Sequence, residues 1–388
     1  MKVYLIAGEP SGDRLGAALM AGLRQLDPEV QFQGIGGPLM EAEGMVSLFA
    51  MDELSVMGLA EVLPKLRTLF KRRDEAVVDV LGSGADVLVT IDSPDFCLRV
   101  ARKVKEVSDL PIVHYVAPSV WAWRPKRVER LVGVVDHVLA LLPFEPPYME
   151  AAGIACDFVG HPVVAEPVAD LHAARDFRAA HGLGDAPLVL ALPGSRKGEV
   201  TRLGDIFGDT LRRVAEARPD VRVVVPAAAP VASLVQAQVA RWPGNPVVLD
   251  PRAMDAEAAL AEKRAAFAAA DVALAASGTV SLELAANATP MVIAYDMNWF
   301  SRQMIKAMLR IDTVTLVNLV SETRTVPEFL GADCKPADIA RAVTELLGSG
   351  PDRAAQAAAA EITMERLGRG DEPPGLRAAR VVSRVAGV

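Results

Sequence analysis

A chain of 388 residues, 51% hydrophobic and 23% charged, exceeds what one core ordinarily organises and has apolar material for two domains. Its net charge of −8 argues against a general nucleic-acid binder, and its three scattered cysteines (Cys97, Cys156, Cys334) exclude a disulfide framework or a CxxC metal knuckle and favour a reducing compartment. The opening apolar run VYLIA is shorter than a leader's h-region and no stretch offers about 18 charge-free apolar residues, so neither a secretory leader nor a membrane span is expected.

The first predicted strand, KVYLIA (2–7), runs into the glycine turn GEPSGD and a helix start. Such turns often hold phosphate at a helix N-terminus, yet this one carries Glu9 and Asp13 where an anion would sit. Next comes MDELSVMGLAEVLPKLRTLFKRR (51–73), where Met57, Leu66, Leu69 and Phe70 accompany Arg67, Lys71, Arg72 and Arg73. That combination suits an interfacial segment on anionic lipid, and equally a core-facing amphipathic helix started by Pro64. The strand ADVLVTID (85–92) ends on Asp92, either a helix N-cap or a desolvated general base.

After the strand LPIVHYVA (110–117), Trp121 and Trp123 stand beside Arg124, Lys126 and Arg127. They read as a platform for a sugar, base or lipid head group, or as a core lid with snorkelling cations. His114 and His161 have no partner at metal-ligand spacing, and no DxD or EF-hand pattern occurs, so a tightly held metal is not expected. A strand HVLALLP (137–143) precedes a proline-containing linker, 159–186, with the domain boundary near residue 165.

The pattern then restarts with the strand APLVLALP (186–193) and a turn carrying Gly194, Ser195, Arg196 and Lys197. Backbone N–H groups beside two cations suit a diphosphate, although an ordinary βα turn with surface cations has the same letters; the spacing is not Walker A. Strands VRVVVPAA (221–228), DVALAAS (271–277) and PMVIAYDM (290–297) follow. Ser277, Gly278 and Thr279 open a helix, with Glu283 one turn on, placed either for phosphate and ribose hydroxyls or for simple capping and solvation. Two helices, 351–367 and one from Leu376, close the chain. Continuous apolar strands alternating with helices predict an α/β fold with mainly parallel sheets, two Rossmann-like halves facing across a cleft.

In order, the segments AGEPSGD, GIGGPLMEAEGM, ELSVMGLAEVL, IDSPDF, HYVAPSVWAWR, LLPFE, FVGHP, LPGSR and ASGTVSLE resemble the lipid-A-disaccharide synthase family over most of the chain. The resemblance implies a GT-B glycosyltransferase that needs no cofactor. It implies an acceptor-side domain over 1–165, a UDP-donor domain over 166–350, and helices of 351–388 packing back on the first domain. The family moves 2,3-diacylglucosamine from UDP-2,3-diacylglucosamine to the 6-hydroxyl of 2,3-diacylglucosamine 1-phosphate (lipid X), inverting the anomeric centre and releasing UDP.

By the same resemblance Asp92 takes the proton from the attacking hydroxyl and Arg196 neutralises the departing diphosphate. Gly194, Ser195, Ser277, Gly278, Thr279 and Glu283 hold UDP. Gly8, Glu9, Ser11, Gly12 and Asp13 meet the acceptor sugar together with Trp121 and Trp123, the small residues opening the backbone to substrate. Met57, Leu66, Leu69, Phe70, Lys71, Arg72 and Arg73 face an anionic surface, the cytoplasmic side of the inner membrane, and a homodimer is allowed. A GT-B UDP-sugar 2-epimerase and a non-catalytic nucleotide-sugar or lipid-binding protein are the alternatives.

Overall fold

The computed structural model describes residues 1–54, 59–122, 125–296 and 311–388; the side chains of 59–66 and 125 lie outside the description. The chain forms two units, Met1–Ala165 with Leu367–Val388, and Glu166–Arg366. In the first, β1 (Lys2–Ala7), β2 (Gln31–Ile35), β3 (Val87–Ile91), β4 (Ile112–Tyr115), β5 (His137–Ala140) and β6 (Ala155–Phe158) form one sheet ordered β2-β1-β3-β4-β5-β6. In the second, β7 (Leu188–Leu192), β8 (Arg222–Pro226), β9 (Val247–Leu249), β10 (Val272–Ala275), β11 (Met291–Tyr295) and β12 (Glu328–Leu330) are ordered β12-β11-β10-β7-β8-β9. Every ladder is parallel, the α/β pattern that the alternating runs predicted.

The inner strands are buried on both faces, and alternate residues feed separate cores. On β1, Val3, Leu5 and Ala7 pack with Leu15, Leu19 and Leu23 of the helix Pro10–Leu26. Tyr4 and Ile6 pack on the other face with Val100, Ala101 and Val104 of the helix Pro94–Lys105. Period-two alternation therefore covers both faces of the sheet with helices.

Each sheet reverses its winding once. From β1 the chain steps outward to β2 and returns to β3 on the far side of β1; from β7 it winds out to β9 and returns to β10. Beyond the carboxyl ends of β1 and β3, and of β7 and β10, neighbouring turns diverge and leave room for a ligand.

The two terminal helices divide between the units, a correction to the expectation that both return to the first. Pro351–Arg366 stays with the second unit, because the buried Gln356 amide donates to the Met291 carbonyl at 3.1 Å and accepts from its N–H at 2.8 Å. Pro374–Ala386 packs on Pro10–Leu26 through bare backbone: a Cβ on Gly22 would lie 2.6 Å from the Gly375 carbonyl oxygen, and one on Gly375 would strike the Ala18 carbonyl. Gly375→Val should therefore push the helices apart and cost about 1–3 kcal/mol in urea unfolding; unchanged stability would contradict so close a contact.

Candidate active site

At the reversal of the first sheet, the chain leaves β3 through Asp92 and Ser93, both left-handed, with φ of 49° and 43°. L-residues other than Asn and Asp rarely adopt this region, so two in succession make a tight, constrained turn. The Asp92 N–H donates to the Tyr115 carbonyl at 2.9 Å, and Ser93, not Asp92, occupies the N-cap of Pro94–Lys105. Asp92 is thereby released from the capping alternative. Its carboxyl is half-buried; desolvation raises its pKa, opposed by a hydrogen bond from the Ser93 N–H. A carboxylate held in that balance can accept a proton from a hydroxyl near neutral pH. Glu9, at the N-cap of Pro10–Leu26 on the neighbouring turn, is also half-buried. The two turns meet, since a Cβ on Gly8, next to Glu9, would lie 2.7 Å from Oγ of Ser93, next to Asp92, and both carboxylates raise the pKa of the buried Cys97 thiol.

Within the opening turn, Asp13 serves the fold, a correction to its expected contact with sugar. Asp13 is 3% exposed, and its two oxygens accept from the backbone N–H groups of Gly37 (2.9 Å), Leu39 (3.0 Å) and Met40 (3.0 Å). It fastens the start of the helix Pro38–Ala42. A Cβ on Gly8 would lie 2.7 Å from Ser93 Oγ, and one on Gly12 would lie 3.3 Å from the Ala7 Cβ and 3.4 Å from the Ile91 carbonyl oxygen. These glycines make room for the chain's own atoms. Ser11 is exposed at the helix start.

Trp121 is likewise corrected from platform to packing residue. It is buried, its ring meets Phe144 edge-on at 5.0 Å, and its indole N–H donates to Glu145 Oε1 at 3.2 Å. Trp123 lies outside the described residues. Glu145, 4% exposed, also accepts from the N–H groups of Leu141 and Leu142 at 3.1 and 3.0 Å, yet burial pushes its carboxyl up to about 7. His114, hydrogen-bonded through Nδ1 to Thr90 Oγ1 at 2.8 Å, is held neutral by burial, its pKa lowered to about 4.

At the reversal of the second sheet, the turn after β7 carries Gly194 (φ 116°), Ser195 and Arg196, the last being the N-cap of the helix Lys197–Ala217. The turn's donors are not open, contrary to the expected diphosphate cradle. Glu199 Oε2 accepts from the N–H groups of Ser195 and Arg196 at 3.1 and 3.2 Å, and Oε1 is 3.6 Å from Arg196 Nη1. A phosphate arriving there has to displace this carboxylate from the backbone. The guanidinium of Arg196 is two-thirds exposed and accessible.

The turn after β10 lies alongside, joined by the Ala276 N–H donating to the Leu192 carbonyl at 2.9 Å. Gly278 (φ 155°) and Thr279 are exposed, Ser277 is half-buried, and a Cβ on Gly278 would meet nothing within 4 Å. Glu283 is already engaged, its Oε2 accepting from Lys263 Nζ at 2.5 Å. A ribose hydroxyl would share it with that ammonium.

In the segment 51–73, two of the cations expected on a basic face, Arg72 and Arg73, are met by carboxylates. Arg72 reaches Glu53 at 2.7 Å and Glu75 at 2.8 Å and lies over the Phe49 ring; Arg73 pairs with Asp74 at 2.7 Å and lies over Phe70. Lys71 lines a groove with Asp74, Glu75 and Asp79. Cations matched by carboxylates attract anionic lipid weakly. Leu69 is half-buried and Phe70 exposed on the helix Leu59–Ser83, while Met57 and the Leu66 side chain lie outside the description. Among the described residues no helix is long and apolar enough to cross a membrane.

Sequence reasoning gave no role to Glu145, Glu199 or Lys263. Glu199 was readable, since a Glu three residues after the N-cap is the capping-box spacing. The other two depend on tertiary contacts with no local signal.

Asp13→Asn should lower stability by about 2 kcal/mol in chemical unfolding with substrate KM unchanged, because a charge-assisted cap is lost. A raised KM at unchanged stability would instead restore a role in substrate binding. Glu145 gives a second test. Its folded pKa of about 7 lies above the ordinary 4.5, so the folded protein keeps a proton that the unfolded chain has released. This contribution is fully present below about pH 4.5 and is lost as pH rises through about 7. The resulting decline should vanish in Glu145→Gln, as unfolding titrations from pH 5 to 8 would reveal.

Comparison with known proteins gives a concordant result. The family model described as lipid-A-disaccharide synthetase matches residues 3–371. The lipid-A-disaccharide synthase of Ruegeria pomeroyi is 62% identical over 98% of this chain and 94% of its own length, and that of Rhodospirillum centenum 46% identical over 99% and 94%. Among solved structures, the S. aureus MnaA–UDP complex is similar with a TM-score of 0.65 at 13% identity, covering 99% of this chain and 95% of that one. The Neisseria meningitidis UDP-GlcNAc 2-epimerase bound to UDP-GlcNAc gives 0.63 at 12% identity, covering 99% of both chains. Likeness at that identity speaks for the fold alone, and it agrees with two parallel sheets of GT-B type. By the whole-length family match and the identity to its relatives, the chain belongs to the lipid-A-disaccharide synthase family of glycosyltransferases.

Proposed function

We propose that the chain transfers 2,3-diacylglucosamine from its UDP conjugate to the 6-hydroxyl of 2,3-diacylglucosamine 1-phosphate with inversion, forming the β-1,6 disaccharide 1-phosphate and UDP. The observation that carries this reading is the half-buried Asp92 carboxyl, raised by desolvation and held at the winding reversal of the first sheet. As the acceptor oxygen forms its bond to the anomeric carbon, Asp92 takes the hydroxyl proton. The bond from that carbon to the diphosphate oxygen breaks, and the electron pair leaves on UDP. The proton then passes to solvent and restores the carboxylate. One-sided attack with the leaving group opposite inverts the centre.

Arg196, exposed at the start of its helix, meets the charge that grows on the leaving diphosphate, an electrostatic contribution typically worth about 3–4 kcal/mol for a single donor. Ser277 and Thr279 offer hydroxyls from the adjacent turn, and Glu283, shared with Lys263, offers an acceptor for ribose. Glu9 and Ser11 face the acceptor sugar beside Asp92. UDP and UDP-GlcNAc in the two structural relatives support a nucleotide-diphosphate donor on this fold. Because both substrates are diacylated, the chain works at a membrane surface, the cytoplasmic face of the inner membrane. It engages that surface through apolar side chains such as Leu69 and Phe70, beside the cations Lys71, Arg72 and Arg73.

UDP release measured with and without the acceptor tests the reading. Asp92→Asn should lower acceptor-dependent release about 10²–10⁴-fold while UDP still binds, and Arg196→Ala should weaken both release and UDP affinity. Release that ignores the acceptor would indicate a hydrolase or epimerase instead.

A further inference from the structure

We infer that Gly8 and Ser93 form a single positioning device for the Asp92 carboxylate: the missing side chain at residue 8 admits the Ser93 side chain, and that fit holds the left-handed Asp92–Ser93 turn in register. This rests on Asp92 being the base.

Left-handed conformations at two successive residues with side chains persist only where the surroundings enforce them. Three contacts do so here. The Asp92 N–H is fixed by the Tyr115 carbonyl at 2.9 Å. The Ser93 carbonyl is fixed by the N–H groups of Phe96 and Cys97 at 3.1 and 3.0 Å. The Ser93 side chain is fixed by Gly8, where an added Cβ would lie 2.7 Å from Oγ and 3.1 Å from the Ser93 Cβ. The next residue of the neighbouring strand end, Val116, is also left-handed at φ 88°, so the constraint surrounds Asp92 on both sides.

The start of the helix does not require this geometry. Ser93 makes no side-chain cap hydrogen bond, and an N-cap in the extended region would begin Pro94–Lys105 without strain. What the turn does achieve is to direct the Ser93 N–H at the Asp92 carboxylate. Gly8 lies at the end of β1, next to β3 in the sheet, so the distance from residue 8 to the turn is set by the ladder itself. Rotation of the Ser93 side chain can carry Oγ away from a Cβ at residue 8, but the 3.1 Å approach to the Ser93 Cβ remains, and that atom follows the backbone. A side chain at residue 8 therefore shifts the turn by a few tenths of an ångström, and the carboxylate with it.

The experiment uses the full chain with Gly8→Ala, Ser93→Gly and the double variant, reading acceptor-dependent UDP release, its pH profile and UDP affinity. Glycine accepts φ 43° without strain, so Ser93→Gly should fold normally. Gly8→Ala should lose roughly ten- to a hundredfold in kcat, as misplacement of a reacting group by a fraction of an ångström does. Its acid limb should move to higher pH, because the Ser93 N–H no longer lowers the Asp92 pKa, while UDP affinity, governed by the second unit, stays unchanged. In the double variant the clash is gone, and kcat should return to within about threefold of Ser93→Gly alone.

Multiplying losses in the double variant, or a Gly8→Ala enzyme with an unmoved acid limb, would overturn the inference. If Gly8→Ala does not fold, recovery of folding on adding Ser93→Gly supports it, and no recovery overturns it. Acceptor-dependent release surviving in Asp92→Asn would contradict the base assignment itself, which is a different result from either.

Discussion

The reversal of strand winding, once in each sheet, is the constraint on which the rest depends. Parallel strands need crossover helices, and where the winding changes direction two adjacent turns leave for different places and no crossover closes the space between them. In the first unit those turns carry Gly8–Glu9 and Asp92–Ser93; in the second they carry Gly194–Arg196 and Ser277–Thr279. Residues 80 or more positions apart thus become neighbours through the ladder alone, with Ala7 beside Ile91 and Leu192 beside Ala275.

Carboxylates of the two units sort by how their charge is met. Asp13 takes three backbone N–H groups, Glu199 two, and Glu328 two with the Thr315 hydroxyl, so each is satisfied by the chain and fixes local geometry. Asp92 is balanced otherwise, with desolvation outweighing the hydrogen bond from Ser93. A carboxylate with that imbalance gains when a proton arrives, which is what a base in a transfer reaction has to do. Glu145 shares the raised pKa but is 4% exposed, enclosed by Trp121 and backbone, so its titration registers in stability.

The eight inner strands and the four turns were legible because burial on both faces writes a continuous apolar run ending in glycine or a small polar residue. The four strands absent from that reading, β2, β6, β9 and β12, are the edges of the two sheets. Their partial exposure breaks the run, as in QFQGI and ACDF, and leaves no periodic signal. Direction was also illegible. Nothing local says that Asp13 points inward to the loop at Gly37, that Trp121 is buried on Phe144, or that Arg72 finds Glu53 nineteen residues away. Residue type was readable and the partner was not, because partners are chosen by tertiary packing.

In the proposed function the two units divide the labour: proton transfer on the first, leaving-group charge on the second. A crystal structure of the full chain with UDP tests this division most directly. The diphosphate should lie against the Arg196 guanidinium and the Ser277–Thr279 turn, with Glu199 displaced from the N–H groups of Ser195 and Arg196. A diphosphate bound instead at the turns of Gly8 and Asp92 would contradict it.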